Sequence, residues 1–197
     1  MKKSESNIQH AIEESIAVKQ FILNDKDFLK RIEETVVLCV NSLKLGGKIW
    51  FAGNGGSAAD AQHLAAELSG RFYLDRKSLP AEALHVNTSF ITAVANDYGF
   101  DKVYARMLQG CAHRGDVLVA ISTSGNSANI LEAVDMAKSL GVHVVAMTGE
   151  KGGKLRERCD ILLNVPSNDT PRIQESHIMI GHIICELVES AIFPKKV

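Results

Sequence analysis

Two short loops rich in glycine and serine constrain the fold of this chain more than any other feature. The first is Gly53-Asn54-Gly55-Gly56-Ser57, and the second is Ser122-Thr123-Ser124-Gly125-Asn126-Ser127. Each loop follows an apolar run typical of a buried strand and precedes a helical pattern. A strand that turns into a helix in this way directs backbone N–H groups toward the positive end of the helix. We therefore expect an anion such as phosphate to bind at both loops.

Strand-like runs alternate with helical patterns from Gly47 onward. We predict strands at 48–52, 82–86, 117–121, 143–147 and 161–165, and helices at 57–69, 89–95, 102–113, 128–140 and 172–192. Such alternation is typical of a parallel sheet that helices cover on both faces. The expected fold is α/β, a three-layer αβα sandwich around a five-stranded parallel sheet, with both loops at carboxyl ends of strands.

Two helices are expected before the sheet, at 4–23 and from Asp25 or Asp27 to Gly46-Gly47. They either cover the sheet or form an interface between subunits. Because no linker or repeat divides the chain, we predict a single domain over 1–197, with 1–46 as an N-terminal helical segment. Apolar residues at helical spacing mark the two helices: Ile8, Ile12, Ile16 and Leu23 in the first, and Phe28, Ile32, Val36, Cys39 and Leu43 in the second.

Composition and charge exclude several classes of partner. The net charge of −1 leaves no broad basic surface, so we expect no nucleic-acid partner. The N-terminus lacks the apolar run of a signal peptide, and no stretch is apolar enough to cross a bilayer, so we expect a cytoplasmic protein with no membrane partner. The four cysteines form no CxxC pair, and we expect free thiols.

Four side chains on two predicted helices form a candidate metal site. His63 and Glu67 lie four residues apart after the first loop, and Gln174 and His182 lie eight apart on the last helix, so each pair shares a helix face. Imidazole, carboxylate and carboxamide groups together bind divalent cations such as zinc. The spacing alone also fits a solvated surface pair, so both interpretations stay open at this point.

Other polar residues have a structural and a functional interpretation. Asn96-Asp97 either ends a short helix as an Asx turn or binds sugar hydroxyls, and Arg71 is either a surface charge or a phosphate contact. Neither loop carries a P-loop lysine, so a small phosphorylated metabolite is favoured over a nucleoside triphosphate. No serine lies in a GxSxG turn, so hydrolysis by a serine nucleophile is disfavoured. The serines that either cap helices or bind phosphate are Ser57, Ser122, Ser124 and Ser127.

The chain resembles sugar isomerase (SIS) domains and, more narrowly, the bacterial phosphoheptose isomerases. The resemblance rests on GNGGSAADAQHLAAELSGRF, ITAVANDYGF, GDVLVAISTSGNSANI, MTGEKGG and RIQESH, which are spread between Gly47 and Glu189. It implies a flavodoxin-like SIS fold, a homotetramer with sites at subunit interfaces, and one Zn²⁺ per subunit. The implied activity is conversion of sedoheptulose 7-phosphate to D-glycero-D-manno-heptose 7-phosphate, the first step toward nucleotide-activated heptose for surface polysaccharide.

The resemblance also implies roles for individual residues. It implies that Glu67 and His182 lie among the zinc ligands, and we assign to them proton transfer at carbon and at oxygen through a cis-enediol. A zinc ligand is a poor free base, so the sequence leaves open whether ligation changes during turnover. The implied zinc ligands are His63, Glu67, Gln174 and His182. The implied substrate contacts are Asn54, Gly55, Gly56, Ser57, Glu67, Arg71, Asn96, Asp97, Ser122, Thr123, Ser124, Ser127 and Gln174.

Three alternative functions remain at the level of the sequence. A non-catalytic SIS protein that binds the bacterial replication initiator resembles this chain in the loops and in Phe193-Pro194, but it lacks the equivalents of Glu67 and His182. A dinucleotide-dependent oxidoreductase is suggested by Gly53–Ala58, which fits GxGxxA, yet the strand predicted at 82–86 ends without the acidic residue that grips ribose. The third is an SIS isomerase for a pentose or hexose phosphate.

Overall fold

An all-parallel sheet of five strands forms the centre of the structure, a computed structural model that describes residues 2–194, with side chains from Ser6. The strands are β1 (Ile49–Ala52), β2 (Ala81–Ala83), β3 (Val117–Ile121), β4 (His143–Thr148) and β5 (Ile161–Asn164). The α-helices are α1 (Lys2–Asn24), α2 (Lys26–Lys44), α3 (Gly56–Ser69), α4 (Thr88–Tyr98), α5 (Val103–Cys111), α6 (Ala128–Leu140) and α7 (Thr170–Ile192). Short 3₁₀ turns lie at Phe100–Lys102 and Gly153–Glu157. The predicted α/β class and five-stranded parallel sheet are confirmed.

The strand order β2-β1-β3-β4-β5 brings the two loops together. Strands β1 and β3 are neighbours, with Ile49 opposite Val117 and Ala52 opposite Ala120. The chain winds outward in opposite directions from this pair, which makes it the switch point of the sheet. Ligands of open parallel sheets bind outside the carboxyl ends of the strands at such a point.

Helices cover both faces of the sheet because alternate strand residues point to opposite sides. In β1, Ile49 and Phe51 belong to the core that α1, α2, α3 and α7 also line, whereas Trp50 and Ala52 belong to the core lined by α4, α5 and α6. All four side chains are buried. Each face therefore has its own apolar core, and the sandwich has the three predicted layers.

The two N-terminal helices differ in how much of their apolar surface is buried. In α2, Asp25 caps the first turn by accepting a bond from the backbone N–H of Phe28, and Phe28 itself is buried in the core. In α1, one face contacts α7, where Ser15 donates to Glu175 and Arg172 donates to the carbonyl of Ala11. An adjoining face of α1 is exposed and apolar: Ile8, Ile12, Ile16 and Leu23.

Two elements, α4 and β2, end three residues away from the predicted position. Helix α4 continues through Asn96 and Asp97, because these side chains bond to each other instead of capping the backbone. The helix ends only at Gly99, whose φ of 91° L side chains rarely adopt. Of the two interpretations of Asn96-Asp97, the Asx turn that ends the helix is therefore wrong. Strand β2 is shorter than predicted, since it is an edge strand that pairs with β1 alone over Ala81–Ala83.

All four cysteines are unpaired, as expected, with Cys39 and Cys185 buried. Among residues 2–194, no helix has the length and hydropathy that a membrane span requires.

Candidate active site

The two glycine- and serine-rich loops lie side by side at the carboxyl edge of the sheet. A pair of amides joins them, since Asn54 and Asn129 exchange side-chain hydrogen bonds of 2.8 Å in both directions. Tyr104 of α5 holds the first loop from another side, because its hydroxyl donates to the carbonyl of Gly53 at 2.6 Å. Burial raises the pKa of Tyr104 to about 12, so this hydroxyl stays protonated as a donor. The first loop is therefore fixed to α5 and to the first turn of α6, which follows the second loop.

The first loop needs its glycines for close approach. A Cβ atom at Gly53 would lie 2.2 Å from the carbonyl oxygen of Ser57, and Gly55 has a φ of 57°. A Cβ atom at Gly56 would lie 2.6 Å from Nε2 of Gln174, so the amide of Gln174 rests directly on this loop. Helix α7 thus reaches the start of α3, which the sequence could not establish.

The second loop presents hydroxyl groups around the start of α6. Ser122 and Ser127 share a hydrogen bond of 3.0 Å between their Oγ atoms, and Ser124 is exposed, with its Oγ accepting from the backbone N–H of Asn126. Ser127 is the N-cap residue of α6, yet its side chain makes no capping bond. Its hydroxyl is therefore not used by the helix, and the loop offers more hydroxyls than capping requires.

A polar recess of about 280 Å³ opens beside the second loop. It lies between the carboxyl ends of β3 and β4 and the start of α7. Thr123 and Ser124 line one side, Thr170 lines another, and Lys151 and Glu150 add one positive and one negative charge. The hydroxyl groups of this lining suit a hydroxyl-rich ligand.

Three side chains from α3 and α7 meet in one cluster. Nε2 of His63 lies 2.8 Å from Nε2 of His182 and 3.2 Å from Oε1 of Glu67. One ligand atom from each of the three residues lies within 4.8 Å of the others. His63 is exposed, while Glu67 and His182 are half-buried, so the cluster opens to solvent. The two histidines come from positions 119 residues apart, and the fold alone brings them together.

The cluster has the chemistry and the size of a divalent-cation site. Two imidazole nitrogens and one carboxylate oxygen are typical zinc ligands, and tetrahedral bonds of about 2.0–2.2 Å place ligand atoms roughly 3.3–3.6 Å apart. The separations of Nε2 of His63 from Nε2 of His182 and from Oε1 of Glu67, 2.8 and 3.2 Å, lie just below that range. Without a cation, the short contact between the rings requires one imidazole to donate its Nε2 proton to the other. The residues therefore fit a metal ion.

Helices α3 and α7 approach closely beside this cluster. A Cβ atom at Gly181 would lie 2.4 Å from a methyl group of Leu64, and the thiol of Cys185 lies 3.8 Å from the carbonyl of Leu64. Both Leu64 and Cys185 are buried. Glycine at 181 therefore allows the two helix backbones to come near enough for His63 and His182 to touch.

Asp60 is a neighbour of the cluster that the sequence reasoning missed. It precedes His63 by three residues, about one helical turn. Burial raises the pKa of Asp60, and the nearby His63 and His182 partly oppose this. Its Oδ2 atom is buried with no hydrogen-bond partner among residues 2–194. The i, i+3 spacing to His63 was visible in the sequence and could have identified it.

Three of the implied substrate contacts lie away from the loop contacts just described. Asn96 and Asp97 are exposed at the end of α4, where Asn96 donates to Asp97 at 2.9 Å. Arg71 is exposed just beyond the C-cap of α3 at Gly70. Within residues 2–194 of one subunit, none of the three bonds to either loop.

Comparison with known proteins places this chain among well-defined relatives. A model of the SIS domain family matches residues 12–149. The phosphoheptose isomerase of Aneurinibacillus thermoaerophilus is 51% identical over 189 residues, 96% of each chain. That of Mycobacterium bovis is 56% identical over 180 residues, 91% of this chain and 92% of the relative.

The likeness extends to solved structures. The structure of phosphoheptose isomerase from Neisseria gonorrhoeae matches with a TM-score of 0.89 and 44% identity, over 94% of this chain and 98% of the other. That of a phosphoheptose isomerase from Francisella tularensis matches with a TM-score of 0.91 and 37% identity, over 95% and 98%. Sequence and backbone therefore agree over nearly the whole chain.

Proposed function

The chain belongs to the SIS domain family and, within it, to the phosphoheptose isomerases, and from this premise we propose that it converts sedoheptulose 7-phosphate to D-glycero-D-manno-heptose 7-phosphate. Membership makes it a sugar phosphate isomerase. The observation that best supports the specific reaction is the cluster of His63, Glu67 and His182, which joins α7 to α3, the helix that follows the first loop. The product would enter the synthesis of nucleotide-activated heptose for surface polysaccharide.

The reaction moves a hydrogen between C1 and C2, so it needs a base at carbon and an acid at oxygen. We assign the transfer at carbon to Glu67 and the transfer at oxygen to His182, through a cis-enediol. Oε1 of Glu67 contacts His63, and the carboxylate has a second oxygen that can take a proton. The half-burial of both side chains limits competing water around them.

A divalent cation is part of this proposal, and we infer zinc from the nature of the ligands. His63, Glu67 and His182 would hold it, with Gln174 as the fourth ligand. Such an ion polarises a carbonyl and stabilises negative charge on oxygen. The carboxamide of Gln174 lies against Gly56 of the first loop, and its role as fourth ligand is proposed from the family resemblance.

The two loops would bind the phosphate and the sugar hydroxyls. Ser122, Thr123, Ser124 and Ser127 offer hydroxyls near the start of α6, where the helix dipole favours an anion. Binding energy from the phosphate, remote from the reacting carbons, orients the carbonyl end toward Glu67 and His182. Further contacts are proposed from Asn54, Gly55, Gly56, Ser57, Arg71, Asn96 and Asp97.

We also infer a homotetramer whose sites draw on neighbouring subunits. The exposed apolar face of α1 supports this inference, since Ile8, Ile12 and Ile16 are more than half exposed although the adjoining face packs on α7. A subunit interface would also give a role to Asn96 and Asp97, which are exposed at the end of α4. We propose that each subunit is a single domain over the whole chain. We also propose that the enzyme is cytoplasmic.

The test is an assay with sedoheptulose 7-phosphate, with and without a chelator, followed by separation of the sugar phosphates. We expect the aldose heptose 7-phosphate to form, to disappear after chelation and to return when Zn²⁺ is added back. Fructose 6-phosphate and ribulose 5-phosphate serve as parallel substrates of shorter chain. Absence of the heptose product in metal-loaded protein would contradict the proposal, and faster conversion of a shorter sugar would reassign the substrate.

A further inference from the structure

A buried ion pair outside the cluster joins the same two helices. Glu189 lies near the end of α7, and Arg76 lies in the loop that follows α3. Their side chains are 1% and 3% exposed, and Nε of Arg76 lies 2.9 Å from Oε1 of Glu189. Burying two charges costs free energy, and further hydrogen bonds to both groups are needed to offset that cost. The hydrogen bonds around Glu189 and Arg76 therefore indicate the role of the pair.

The carboxylate of Glu189 binds the loop after α3 through backbone N–H groups. Oε1 accepts from Phe72 at 3.0 Å, and Oε2 accepts from Tyr73 at 2.8 Å and Leu74 at 2.9 Å. Burial alone would raise the pKa of Glu189. The three N–H groups and Arg76 together lower it by more, so the pKa lies below its ordinary value. Glu189 is therefore an ionised anchor that ties the loop to α7.

The guanidinium of Arg76 closes the end of α3. Its Nη2 donates to the carbonyl of Glu67 at 2.9 Å, and its Nη1 donates to those of Leu68 at 2.7 Å and Gly70 at 3.0 Å. The last carbonyls of a helix have no partner within the helix, and a cation there also matches the helix dipole. Arg76 thus holds the backbone of Glu67, one of the three residues of the cluster.

The ion pair connects to the cluster by three routes. The first is the carbonyl of Glu67 itself. The second is α7, since Glu189 follows His182 by seven residues, about two turns, and so projects from the same face. The third is Phe72, whose N–H binds Glu189 and whose ring centroid lies 5.8 Å from that of His182. Each route ends on Glu67 or His182.

We propose that Arg76 and Glu189 are positioning residues that set the spacing of α3 against α7 and thereby hold Glu67 and His182 at the distance one divalent cation requires. The pair touches neither metal nor substrate. The inference rests on the proposed function only for the presence of the cation. Loss of the pair lets the end of α3 and the loop shift, and the ligand atoms then separate.

The test is a Co²⁺ titration of chelator-stripped, full-length Glu189→Gln protein, followed by visible absorption. Glutamine matches the size of Glu189 but leaves Arg76 and part of the loop without an acceptor. We expect Co²⁺ to bind about 10–100-fold more weakly, as for other residues that orient metal ligands, with a changed absorption spectrum. With sedoheptulose 7-phosphate and saturating metal, kcat should fall while KM changes less than about twofold.

Val188→Ala is the matched control. Val188 is buried on the same helix, next to Glu189, and belongs to the apolar core. Its truncation should lower stability through a cavity. Co²⁺ affinity and spectrum should nevertheless stay within about twofold of wild type. Arg76→Lys is the second variant, since lysine keeps the charge but not the fork of donors, and its Co²⁺ affinity should lie between wild type and Glu189→Gln.

Several outcomes would overturn the inference. One is wild-type protein that binds no Co²⁺, and another is folded Glu189→Gln protein with wild-type Co²⁺ affinity and spectrum. An equal loss of Co²⁺ affinity in Val188→Ala, or unfolding of both Glu189→Gln and Arg76→Lys, would also overturn it. Wild-type protein that binds Co²⁺ but forms no aldose heptose phosphate would contradict the proposed function alone. Activity and positioning are thus decided by separate measurements.

Discussion

Glu67 and His182 are the two side chains that we expect to transfer protons, and each can be neutralised with little change of shape. Replacing either by glutamine removes an acid or base while keeping a polar side chain of similar size. Because a positioned acid or base contributes about 10²–10⁴ in rate, kcat of Glu67→Gln and of His182→Gln should fall at least 10²-fold. Kinetics at saturating Zn²⁺, with circular dichroism as the folding control, check this. Near wild-type turnover in either variant would refute its assignment.

Ser124 tests the phosphate-binding loop at the level of one hydroxyl. It is exposed, and its Oγ only accepts a 3.2 Å bond from Asn126 N–H, so the fold should tolerate its loss. A hydrogen bond to a charged group contributes about 1.5–3 kcal/mol, so Ser124→Ala should raise KM about tenfold or more. We expect kcat to change less than twofold. Ser139→Ala is the control, because Ser139 is an exposed serine on α6. A lower kcat of Ser124→Ala with unchanged KM would contradict the prediction.

Sequence spacing could predict residues that share a helix but not residues that meet across the fold. The i, i+4 pair of His63 and Glu67 was visible because one helix fixes its geometry. The contacts between Asn54 and Asn129, and between Arg76 and Glu189, span 75 and 113 residues. Nothing local distinguishes such side chains from ordinary surface groups, so only the folded structure reveals them.

At the level of the elements, Gly125 is the position where the second loop depends most on backbone freedom. Its φ is 66°, and a Cβ atom there would lie 2.0 Å from the carbonyl oxygen of Gly152. A left-handed conformation alone costs an L residue about 1–2 kcal/mol, and the backbone clash adds to this. Gly125→Ala should therefore lower the free energy of unfolding by more than ~2 kcal/mol and raise KM.

Gly110 provides the matched control for that substitution. It lies in α5, and a Cβ atom there would meet nothing within 4 Å. Gly110→Ala should stabilise the protein by up to about 1 kcal/mol, because alanine has the higher helix propensity. Urea unfolding compares the two variants. Equal stability of Gly125→Ala and wild type would show that the loop rearranges without cost.

Elements buried on both sides were the easiest to predict. Strand β3 was predicted without error at 117–121, because a central parallel strand is one uninterrupted apolar run with all five residues buried. Strand β2 was misplaced because it is a three-residue edge strand with a weak pattern. The end of α4 was misjudged at Asn96-Asp97, although Gly99 was the better stop signal in the sequence.

At the scale of the whole molecule, His177 couples folding to pH. It is fully buried on α7, where its Nε2 lies 3.1 Å from the carbonyl of Thr148. Burial lowers the pKa of His177 from 6.5 to about 4, and the hydrogen bond to Thr148 only partly opposes this. Between these two values the unfolded chain binds a proton that the folded chain does not. Stability should therefore fall as pH decreases from about 6.5 to 4, and His177 should contribute no slope above 6.5.

His177→Gln isolates this effect, because glutamine can still donate to Thr148 but does not titrate. Urea unfolding at several pH values between 7 and 4.5 should show a smaller loss of stability in the variant than in wild type. Identical slopes would show that His177 becomes protonated within the fold.

The overall architecture could be predicted because a parallel sheet with loops at one edge follows from the order of the patterns. What the sequence lacked was the approach of α7 to α3, which creates the cluster of His63, Glu67 and His182. That approach depends on Gly181 lying against Leu64, a contact between distant parts of the chain.

The most direct test of the central claim, proton transfer between carbons of a heptose phosphate, is isomerisation of sedoheptulose 7-phosphate in D₂O. An enediol route exchanges the transferred hydrogen with solvent, so proton NMR of the aldose product should show deuterium at C2. Glu67→Gln should incorporate deuterium at least 10²-fold more slowly. Metal-loaded wild-type protein that leaves the ketose unchanged, or a Glu67→Gln variant that exchanges at the wild-type rate, would contradict the claim.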